Sequence, residues 1–579
     1  MILQALTEHY ETLAAQGKVD VLGWGKAKIS YALCIRDDGG LERVMFLKQI
    51  PANGKKDPVP QLISLPAAVK RTVGIMPNFL WDNSSYLLGV DDKGKPQRSV
   101  KCFEACRELH REILGDVDSP AARAVLAFFE RWEPSKAQEH PALAEYWADL
   151  TASANLVFLW QDRYVHEDPQ VRQAWQAHYG SGGDGPEMAC LVTGRKGPAE
   201  PVHPAIKGVV GAQSSGAALV SFNAPAFCSY GHEQNLNAPM GKYAAFAYTT
   251  ALNTLIADRE HVNRIGETTV LFWAKSGRSA CQNLFAGALF GAKTPYSVGD
   301  LAGMVEKLCK GEAVTFDETR LDPNGTFYVL GLAPNAARLS VRFFLRDSFG
   351  NFLSNLQNHQ KRLEIVRPSY DQFEQIPIWS LLSETVNQNS RDKSPSEILT
   401  GEMLYAVLTD TRYPATLLNG VVLRIRAEHK ITRGRAAILK AYYLKNPHPD
   451  VPKEVLQVSL NPDCHDPAYV LGRLFSVLEA IQSAANPDIN ATIVDKYLNS
   501  ASATPSRIFP MLMNLARKHL RKLETGKKVF YDKQLTALLG LLEDSYPDRL
   551  SLPQQGSFQL GYYHQTQARY QKKEEKKDV

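Results

Sequence analysis

The chain of 579 residues contains 66 lysine and arginine residues against 61 aspartate and glutamate residues, a formal net charge of +5, with 44% hydrophobic and 22% charged residues. This balance is typical of a soluble globular protein, and at about 100–200 residues per domain the length predicts roughly three to five folding units. The eight cysteines form no repeated Cys-x-x-Cys pair, which excludes a small disulfide-stapled module and gives no zinc signature. We therefore expect reduced thiols in a cytoplasmic protein.

The N-terminus and the longest uncharged stretch argue against export and membrane insertion. Apolar residues at positions 2, 3, 6, 10 and 13 have the spacing of an amphipathic helix and not of a secretory signal. The uncharged stretch from Gly208 to Gly231 is long enough to span a bilayer, but it contains Gln213, Ser214 and Asn223, which hydrocarbon penalises. We expect no membrane-spanning segment.

Strand patterns dominate residues 1–102, which the sequence predicts to form a β-rich N-terminal subdomain. The runs KISYALCIR and LERVMFLKQI, joined by the turn DDGG, predict a β-hairpin followed by a basic loop that contains Lys55 and Lys56. The run SSYLLGV followed by DDKGK predicts a further strand and turn. Over residues 103–180 the apolar spacing changes to i, i+3, i+4 in AARAVLAFFERW and PALAEYWADL, which predicts a helical subdomain.

Residues 181–360 return to strand patterns around one helix and predict an α+β subdomain. The helix is KYAAFAYTTALNTLIAD, and the strands are MACLVTG, ALVSFN, TTVLFWA, TFYVLGLA and RLSVRFFL. A basic connecting region follows over 361–455, and a C-terminal helical bundle over 456–579 is predicted from LGRLFSVLEAIQSAA, IFPMLMNLARKHLRKL and KQLTALLGLLEDS, with a disordered tail. The expected fold class is α+β: a mixed N-terminal and central region with antiparallel sheets and helices, followed by a C-terminal helical bundle.

Sequence motifs of catalytic chemistry are absent or incomplete. The chain contains no GxxxxGK[ST], HExxH or GxSxG. Gly180–Gly185 fits GxGxxG, but it follows a predicted helix and precedes a strand, the reverse of the order that binds a pyrophosphate, so a loop is the favoured interpretation. The His-Asp dipeptide at 465–466 is more typical of a helix cap than of a metal site, and Cys102 and Cys106, one helical turn apart, more often pack than share a metal. The sequence thus indicates no metal or cofactor site.

Positive charge is concentrated in two segments. Between Arg424 and Lys445, seven basic residues are opposed by the single acid Glu428, and a second cluster over two predicted helices is opposed by Glu524 and Asp532. Such clusters match contacts to a phosphate backbone, although each is equally compatible with a solvated helix face. The residues that we assign to nucleic-acid backbone contacts are Arg424, Arg426, Lys430, Arg433, Arg435, Lys440, Arg517, Lys518, Arg521 and Lys522.

The segment from Lys207 to Lys242 combines amide, hydroxyl and aromatic side chains between two basic ends. Amides read base edges, hydroxyls bind phosphates, and aromatic rings stack on bases or wedge between them. The alternative is a polar loop over a core, with its aromatic rings buried, and composition alone favours that alternative.

Long strings of the sequence also resemble those of a known family. They are GWGKAKISYAL, FLWDNSSYLLG, LVTGRKGPAEPVHPAIKGVVGAQSSGAALVSFNAPAFCSYGHEQNLNAP, FYVLGLAPNAARLSVRFF, LTDTRYPATLLNGVVLRIRAE, RGRAAILKAYYL and NPDCHDPAYVLGRLFSVLEAIQSAANP. In this order, and over nearly the whole chain, they resemble the large subunit of type I-C CRISPR Cascade complexes.

The resemblance implies a non-catalytic subunit of an RNA-guided surveillance complex. Such a subunit finds the protospacer-adjacent motif in duplex DNA, promotes R-loop formation and helps to recruit a helicase-nuclease, while base pairing reads the target sequence. The implied partners are the CRISPR RNA, the target double-stranded DNA and its displaced strand, the subunit that binds and processes the 5′ handle, the repeated backbone subunits, a small subunit and the helicase-nuclease. The resemblance implies no interaction with a membrane.

With this resemblance, the segment 207–242 becomes the candidate reader of the motif. Residues that we assign to the DNA motif and duplex are Lys207, Gln213, Ser214, Phe222, Asn223, Phe227, Tyr230, Asn235, Lys242, Lys26, Lys28, Lys55 and Lys56. The amides of Gln213, Asn223 and Asn235, with the hydroxyl of Ser214, are expected to face base edges, and an aromatic ring is expected to wedge into the duplex.

The resemblance also implies a separate small subunit translated internally from the C-terminal part of the reading frame. Met403 would begin it too early for a bundle alone and Met511 would cut through the bundle, so we expect a start near Val451–Leu456. Two other function classes stay open at this stage. A metal-dependent nuclease would require a carboxylate or histidine cluster, and a generic RNA-binding scaffold would bind without regard to a flanking DNA motif.

Overall fold

The computed structural model describes residues 1–50, 58–69, 71, 74–152, 154–181, 185–258, 262–291, 298–312, 314–316, 318–391, 393–542 and 545–574. The chain divides into two compact units. The first comprises Met1–Ile206 and Val220–Thr254, and the second comprises Lys207–Leu219 and Leu255–Val579. Both contain helices and antiparallel strands, which confirms the predicted α+β class. Among the residues described, no helix is both long and apolar enough to cross a membrane.

The first unit contains most of the short strands. These are β1 (Trp24–Ile29), β2 (Tyr31–Ile35), β3 (Leu41–Phe46), β4 (Gln61–Pro66), β5 (Trp81–Asn83), β6 (Asn155–Trp160), β7 (Arg163–Tyr164), β8 (Glu187–Ala189) and β9 (Lys196–Pro198). The helices are α1 (Ile2–Ala15), α2 (Ser84–Leu87), α3 (Pro96–Leu114), α4 (Pro120–Arg131), α5 (Trp147–Thr151), α6 (Pro169–Ser181) and α7 (Lys242–Ala257). Helix α7 contains one of the boundaries between the units.

The main sheet of the first unit has the strand order β3-β2-β6-β5, with β7 paired to β6. The predicted hairpin is confirmed in β2 and β3, which pair antiparallel, whereas β2 and β6 pair in parallel. The run KISYALCIR is nevertheless interrupted at Ser30, because its first two residues are the end of β1, which pairs with β4 in a separate two-stranded ribbon. Strand β6 comes from the segment predicted to be helical, so residues 1–102 and 103–180 share one sheet.

Both faces of this sheet are buried. On one face, Leu33 and Phe158 pack among the aromatic and aliphatic side chains of α3 and α4. On the other face, Val157 packs with Ile29 of β1 and Leu65 of β4. A strand covered on both sides must be apolar at consecutive positions, which explains the run LVFL in β6.

Two predictions for the first unit are wrong in their element type. The run SSYLLGV begins with the helix α2, because the Asn83 side chain caps it by accepting a hydrogen bond from the Ser85 N–H (3.0 Å). The run PALAEYWADL is a 3-10 segment over Pro141–Tyr146 followed by the single-turn helix α5, and not one continuous helix.

The second unit contains a four-stranded antiparallel sheet and most of the helices. Its strands are β10 (Val262–Ile265), β11 (Thr268–Ala274), β12 (Val314–Phe316), β13 (Thr319–Leu321), β14 (Thr326–Asn335) and β15 (Arg338–Ser348). Its helices are α8 (Ser279–Phe290), α9 (Val298–Cys309), α10 (Phe349–Leu363), α11 (Ile378–Ser383), α12 (Glu397–Leu408), α13 (Ala415–Glu428), α14 (Arg433–Lys445), α15 (Pro467–Ala485), α16 (Ile493–Ala503), α17 (Pro505–Leu520), α18 (Thr525–Leu539) and α19 (Leu552–Glu574).

One hydrophobic core joins the sheet β10-β11-β14-β15 to the helices of the second unit. The predicted strands TTVLFWA, TFYVLGLA and RLSVRFFL are confirmed as β11, β14 and β15, and the predicted C-terminal helical bundle is confirmed as α15–α19. The run ALVSFN forms no strand of its own, and within it Ala218 makes an isolated bridge to Arg338. Of the run MACLVTG, only the first residues belong to β8.

Close contact between α15 and α19 organises the C-terminal bundle. Gly472 of α15 lies against the backbone of Phe558, where an added Cβ would come within 1.9 Å of the carbonyl oxygen. Reciprocally, a Cβ at Gly561 of α19 would come within 2.1 Å of the Tyr469 carbonyl oxygen. Side chains at either position would hold the helices apart, so the two glycines set the helix separation.

Candidate nucleic-acid interface

The structure presents Tyr230 at the tip of a turn in the first unit. The turn is closed by a hydrogen bond from the His232 N–H to the Ser229 carbonyl oxygen (3.0 Å). Tyr230 and Gly231 both have left-handed backbones, with φ of 53° and 74°. The Tyr230 side chain is 96% exposed. A non-glycine residue with positive φ stores backbone strain of order 1–3 kcal/mol, and such strain concentrates at functional sites.

Asn237 holds this turn in place. Its side-chain oxygen accepts a hydrogen bond from the Ser229 N–H (2.8 Å), and its Nδ2 donates to the carbonyl oxygens of His232 (3.0 Å) and Gln234 (2.9 Å). The amide therefore bridges both ends of the turn and fixes its backbone around Tyr230. The sequence assigned Asn237 no role, and the Tyr230-Gly231 pair is a turn signal that could have located this site.

The other predicted reader residues of the first unit differ in their exposure. Asn223 and Phe227 are exposed and Phe222 is half-buried, and a 3-10 turn over Pro225–Phe227 lies between Asn223 and Tyr230. Asn235, in contrast, is only 5% exposed. A buried amide does not face a base edge, so the structure places Asn235 within the support of the loop and not on its surface.

Lys242 lines a cleft of about 860 Å³ beside α1 and the start of α7. Its Nζ donates to the Tyr179 carbonyl oxygen (3.0 Å) and lies 3.7 Å from the centre of the Tyr179 ring. Cys190 also lines the cleft. Although burial works to raise it, hydrogen bonds from Thr193 and from nearby backbone N–H groups hold the pKa of the Cys190 thiol below its usual value. Lys242 thus has partners within the protein.

The remaining predicted reader residues belong to the second unit, because one of the unit boundaries falls between Leu219 and Val220. Lys207, Gln213 and Ser214 are exposed on the loop 207–219. Three glycines of this loop have positive φ, which a side chain would strain. The predicted segment 207–242 is therefore two surfaces, one in each unit.

Lys26 and Lys28 are on the exposed face of the ribbon formed by β1 and β4. They lie opposite Ser64 and Leu62 in the register of the two strands, and all four residues are exposed. Strand residues two positions apart point to the same side, so both ammonium groups face solvent. Lys55 and Lys56 lie outside the described residues.

The predicted basic stripe 424–445 mostly faces protein partners. Arg435 is 2% exposed and pairs with Glu384 (3.1 Å) and Glu428 (2.5 Å). Lys440 is equally buried and donates to the Arg362 carbonyl oxygen (3.0 Å), and burial lowers its pKa to about 8. These two side chains are therefore not positioned to contact a phosphate backbone.

The other members of the stripe are partly buried or exposed, and several of them contact protein groups. Arg424 pairs with Glu428 (3.6 Å), and Arg433 donates to the Asp371 carboxylate (2.9 Å). Arg426 and Lys430 are exposed, and the Arg426 guanidinium donates to the Gln555 side chain (2.8 Å). The stripe is thus mainly an internal ion-pair network that joins α13 and α14 to neighbouring segments.

The second cluster is exposed throughout, and we call it the basic face of α17 and α18. Its eight members are Arg507, Arg517, Lys518, Arg521, Lys522, Lys527, Lys528 and Lys533. None of the ion pairs found in the described part of the chain involves them, and Lys522 donates to the Asn486 side-chain oxygen (3.0 Å). Phe530 is exposed on the same helix pair. Uncompensated cations beside an exposed ring are the usual components of a single-stranded nucleic-acid surface.

Two of the features considered as metal sites in the sequence have structural roles in the fold. Asp466 caps α15, where its carboxylate accepts a hydrogen bond from the Tyr469 N–H (2.8 Å), as the favoured interpretation of the His-Asp dipeptide predicted. Cys102 and Cys106 are buried in the core of the first unit. Part of Gly180–Gly185 lies outside the described residues. Over the residues that are described, no three His, Cys, Asp or Glu side chains cluster as metal ligands.

Comparisons with known proteins add one finding to this geometry. A family model described as CRISPR-associated protein (Cas_Csd1) matches residues 6–570. The match includes the turn at Tyr230, the ribbon of Lys26 and Lys28, and the basic face of α17 and α18. The curated proteins include no match to the chain.

Proposed function

The chain belongs to the Cas_Csd1 family of CRISPR-associated proteins, the type I-C large subunits, and we propose that it recognises the protospacer-adjacent motif in duplex DNA. In this proposal it also promotes R-loop formation and helps to recruit a helicase-nuclease, without catalysing a reaction itself. It acts in the cytoplasm, within a guide-loaded complex that contains the CRISPR RNA and the other subunits.

Tyr230 is the observation that carries this proposal. Its ring is almost fully exposed, its backbone is strained, and the Asn237 amide fixes the turn that holds it. An aromatic ring on a fixed turn can enter a base step and unstack it, because unstacking costs a few kcal/mol that contacts on the flanking duplex offset. A side chain that is merely solvated requires neither a strained backbone nor a dedicated amide.

Neighbouring residues have complementary roles in the proposal. Asn223 is exposed before the same turn and can read a base edge with its donor and acceptor pair. Lys26 and Lys28 contact phosphates of the duplex and supply affinity without sequence preference. In the second unit, Gln213 and Ser214 remain candidates for a separate contact with the DNA, as does Lys207 for a phosphate.

The basic face of α17 and α18 contacts the backbone of the displaced strand. Eight exposed cations that form no ion pair with any described residue favour binding by counterion release, and the exposed Phe530 ring offers a stacking surface that tolerates any base. The internal network of Arg433, Arg435 and Lys440 does not take part in this contact.

The decisive experiment compares Tyr230→Ala with Tyr570→Ala, a change at another exposed tyrosine, in the complete guide-loaded complex. Base–aromatic stacking contributes about 1–3 kcal/mol, so Tyr230→Ala is expected to slow R-loop formation on duplex DNA by roughly 5- to 150-fold. On targets whose strands are already separated, the same variant is expected to bind like the unchanged complex. Asn223→Ala, tested on targets with every flanking trinucleotide, is expected to relax the flanking preference.

Equal rates for Tyr230→Ala and Tyr570→Ala on duplex DNA would refute the role of the turn. A complex that binds all flanking trinucleotides equally before any substitution would favour a generic RNA-binding scaffold. Metal-dependent DNA cleavage by the chain alone would favour a nuclease.

A further inference from the structure

Two aromatic rings project into solvent from a second loop, which lies in the second unit. We call residues 367–375, between α10 and α11, the aromatic loop. Tyr370 is 85% exposed and Phe373 is 73% exposed. Isolated exposed apolar residues need no explanation, but two large rings three residues apart on one short loop are costly to keep in water.

Arg433 clamps this loop from the start of α14. Its Nη1 donates to the Asp371 carboxylate (2.9 Å) and to the Phe373 carbonyl oxygen (2.5 Å), and its Nη2 donates to the Glu374 carbonyl oxygen (2.7 Å). Although partial burial works to raise it, the hydrogen bonds from Arg433 and from the Phe373 N–H hold the pKa of the Asp371 carboxyl below its usual value. A nearly buried guanidinium thus holds the loop at Asp371, Phe373 and Glu374.

Both ends of the aromatic loop are also fixed. The Val366 N–H donates to the Val458 carbonyl oxygen (2.7 Å), and the Tyr563 hydroxyl donates to the Val366 carbonyl oxygen (2.7 Å). Pro368 and Ile376 are buried. With its ends and its middle held, the loop cannot fold its rings back onto the core without breaking these hydrogen bonds. A preorganised pair of aromatic side chains is typical of an interface anchor.

The charge around the rings favours a protein over a nucleic acid as the occupant. Residues 364–377 contain the acids Glu364, Asp371 and Glu374 against the single base Arg367. The ion pair with Arg433 neutralises Asp371, which leaves Glu364 and Glu374 against Arg367. Phosphate backbones require the opposite balance, which this chain provides on the basic face of α17 and α18. The Glu374 side chain is exposed and forms no ion pair among the described residues, so it is available to a basic partner group.

We propose that the aromatic loop docks on another protein subunit of the CRISPR-associated complex. The partner surface has apolar pockets for the Tyr370 and Phe373 rings and a lysine or arginine that faces Glu374. The proposal rests on membership in a multi-subunit family and not on recognition of the DNA motif. The proposal assigns protein binding and nucleic-acid binding to two different surfaces of the second unit.

The test is a titration of the labelled chain onto a guide-loaded complex assembled without it, with the dissociation constant as the readout. The double variant Tyr370→Ser/Phe373→Ser is expected to weaken association by at least about 30-fold, the effect of losing one interface hot spot. Glu374→Lys is expected to weaken it by about 5-fold or more, with the loss reduced at high salt. Tyr570→Ser, which removes an exposed ring from α19 in the same unit, is the matched control and is expected to associate normally.

Three outcomes distinguish docking on a protein from the alternatives. Unchanged association of the double variant would overturn the proposal. Normal association together with weaker binding of the isolated chain to a single-stranded oligonucleotide would assign the rings to base stacking instead. Weak association of the double variant, with normal assembly of Tyr230→Ala, would support the docking role whatever the outcome of the flanking-motif experiment.

Arg433→Gln provides a second test of the proposal, because it removes the hydrogen bonds that hold the loop and leaves both rings in place. We expect a smaller loss of association than for the double variant, since the rings must then be ordered on binding. Association unchanged by Arg433→Gln, in a variant with a normal unfolding transition, would show that preorganisation of the loop contributes nothing to docking.

Discussion

Neutralising part of the basic face of α17 and α18 is expected to change how strongly salt weakens nucleic-acid binding. The perturbation is the fourfold change of Arg517, Lys518, Arg521 and Lys522 to Gln. Arg517 and Lys518 lie in the last turn of α17, Arg521 is its C-cap and Lys522 follows, so the four cations lie within six residues at the C-terminal end of the helix. All four are exposed, and the buried residues of this helix, such as Leu512, lie on its other face. Replacing them with Gln is therefore not expected to disturb the core.

The magnitude follows from the number of phosphates neutralised. Each contact with a single strand adds about 0.7 to the slope of log affinity against log salt, so losing four contacts lowers that slope by about 2.8. Between 0.05 and 0.2 M salt, the unchanged complex is thus expected to lose roughly 50-fold more affinity than the variant.

The assay is binding of the guide-loaded complex to opened targets over a series of salt concentrations, with and without the displaced strand. The change in slope is expected only when the displaced strand is present. A matched control changes Lys93, Lys95, Arg98 and Lys101 to Gln, which removes the same charge from exposed positions in the first unit. An unchanged slope for the α17 variant, or an equal change for the control, would refute a localised backbone contact.

Two further predictions concern stability. Burial lowers the pKa of His359 to about 3, so this side chain stays neutral in the folded protein while an unfolded histidine takes up a proton below about pH 6.5. The free energy of unfolding is therefore expected to fall by about 2 kcal/mol for this residue between pH 7 and pH 5, and urea titrations of His359→Gln should show a pH dependence weaker by that amount. Gly472→Ala is expected to destabilise the bundle by about 2 kcal/mol or more because its Cβ meets the Phe558 backbone, whereas Gly526→Ala, with open space around it, should change urea stability by less than about 1 kcal/mol. A pH dependence that His359→Gln leaves intact, or equal midpoints for the two glycine variants, would contradict these explanations.

Hydrophobic periodicity was sufficient to locate the long elements. The runs that became β11, β14, α15 and α17 each bury a continuous stripe or face, and such patterns are local properties of the sequence. Short elements were predicted less well, since their type depends on caps. The helix α2 follows from the Asn83 side chain, which outweighed the strand-like character of the run after it.

The two basic clusters show why charge alone did not locate the interface. Both segments are rich in Lys and Arg, but the partners of the first are remote in sequence. Arg433 finds Asp371, Arg435 finds Glu384, and Lys445 finds Asp410 (2.9 Å). A count of charges along the chain cannot include acids 35 to 62 residues away, because only the tertiary fold brings them together. Hence one cluster became an internal network and the other an exposed face.

The predicted start of a separate C-terminal product can be related to this fold. Val451–Leu456 lies just before α15, so a product that begins there keeps α15–α19 complete, whereas Met511 lies within α17. The bundle is nevertheless not closed on itself. Gly556 of α19 lies against the Tyr443 ring of α14, where an added Cβ would come within 2.9 Å of it. The Tyr563 hydroxyl also donates to the carbonyl oxygen of Val366, upstream of the predicted start. A product that begins at Val451 would expose this side of α19, and because an exposed apolar face with an unpaired hydroxyl is unfavourable in water, such a product requires another protein surface in the place of α14.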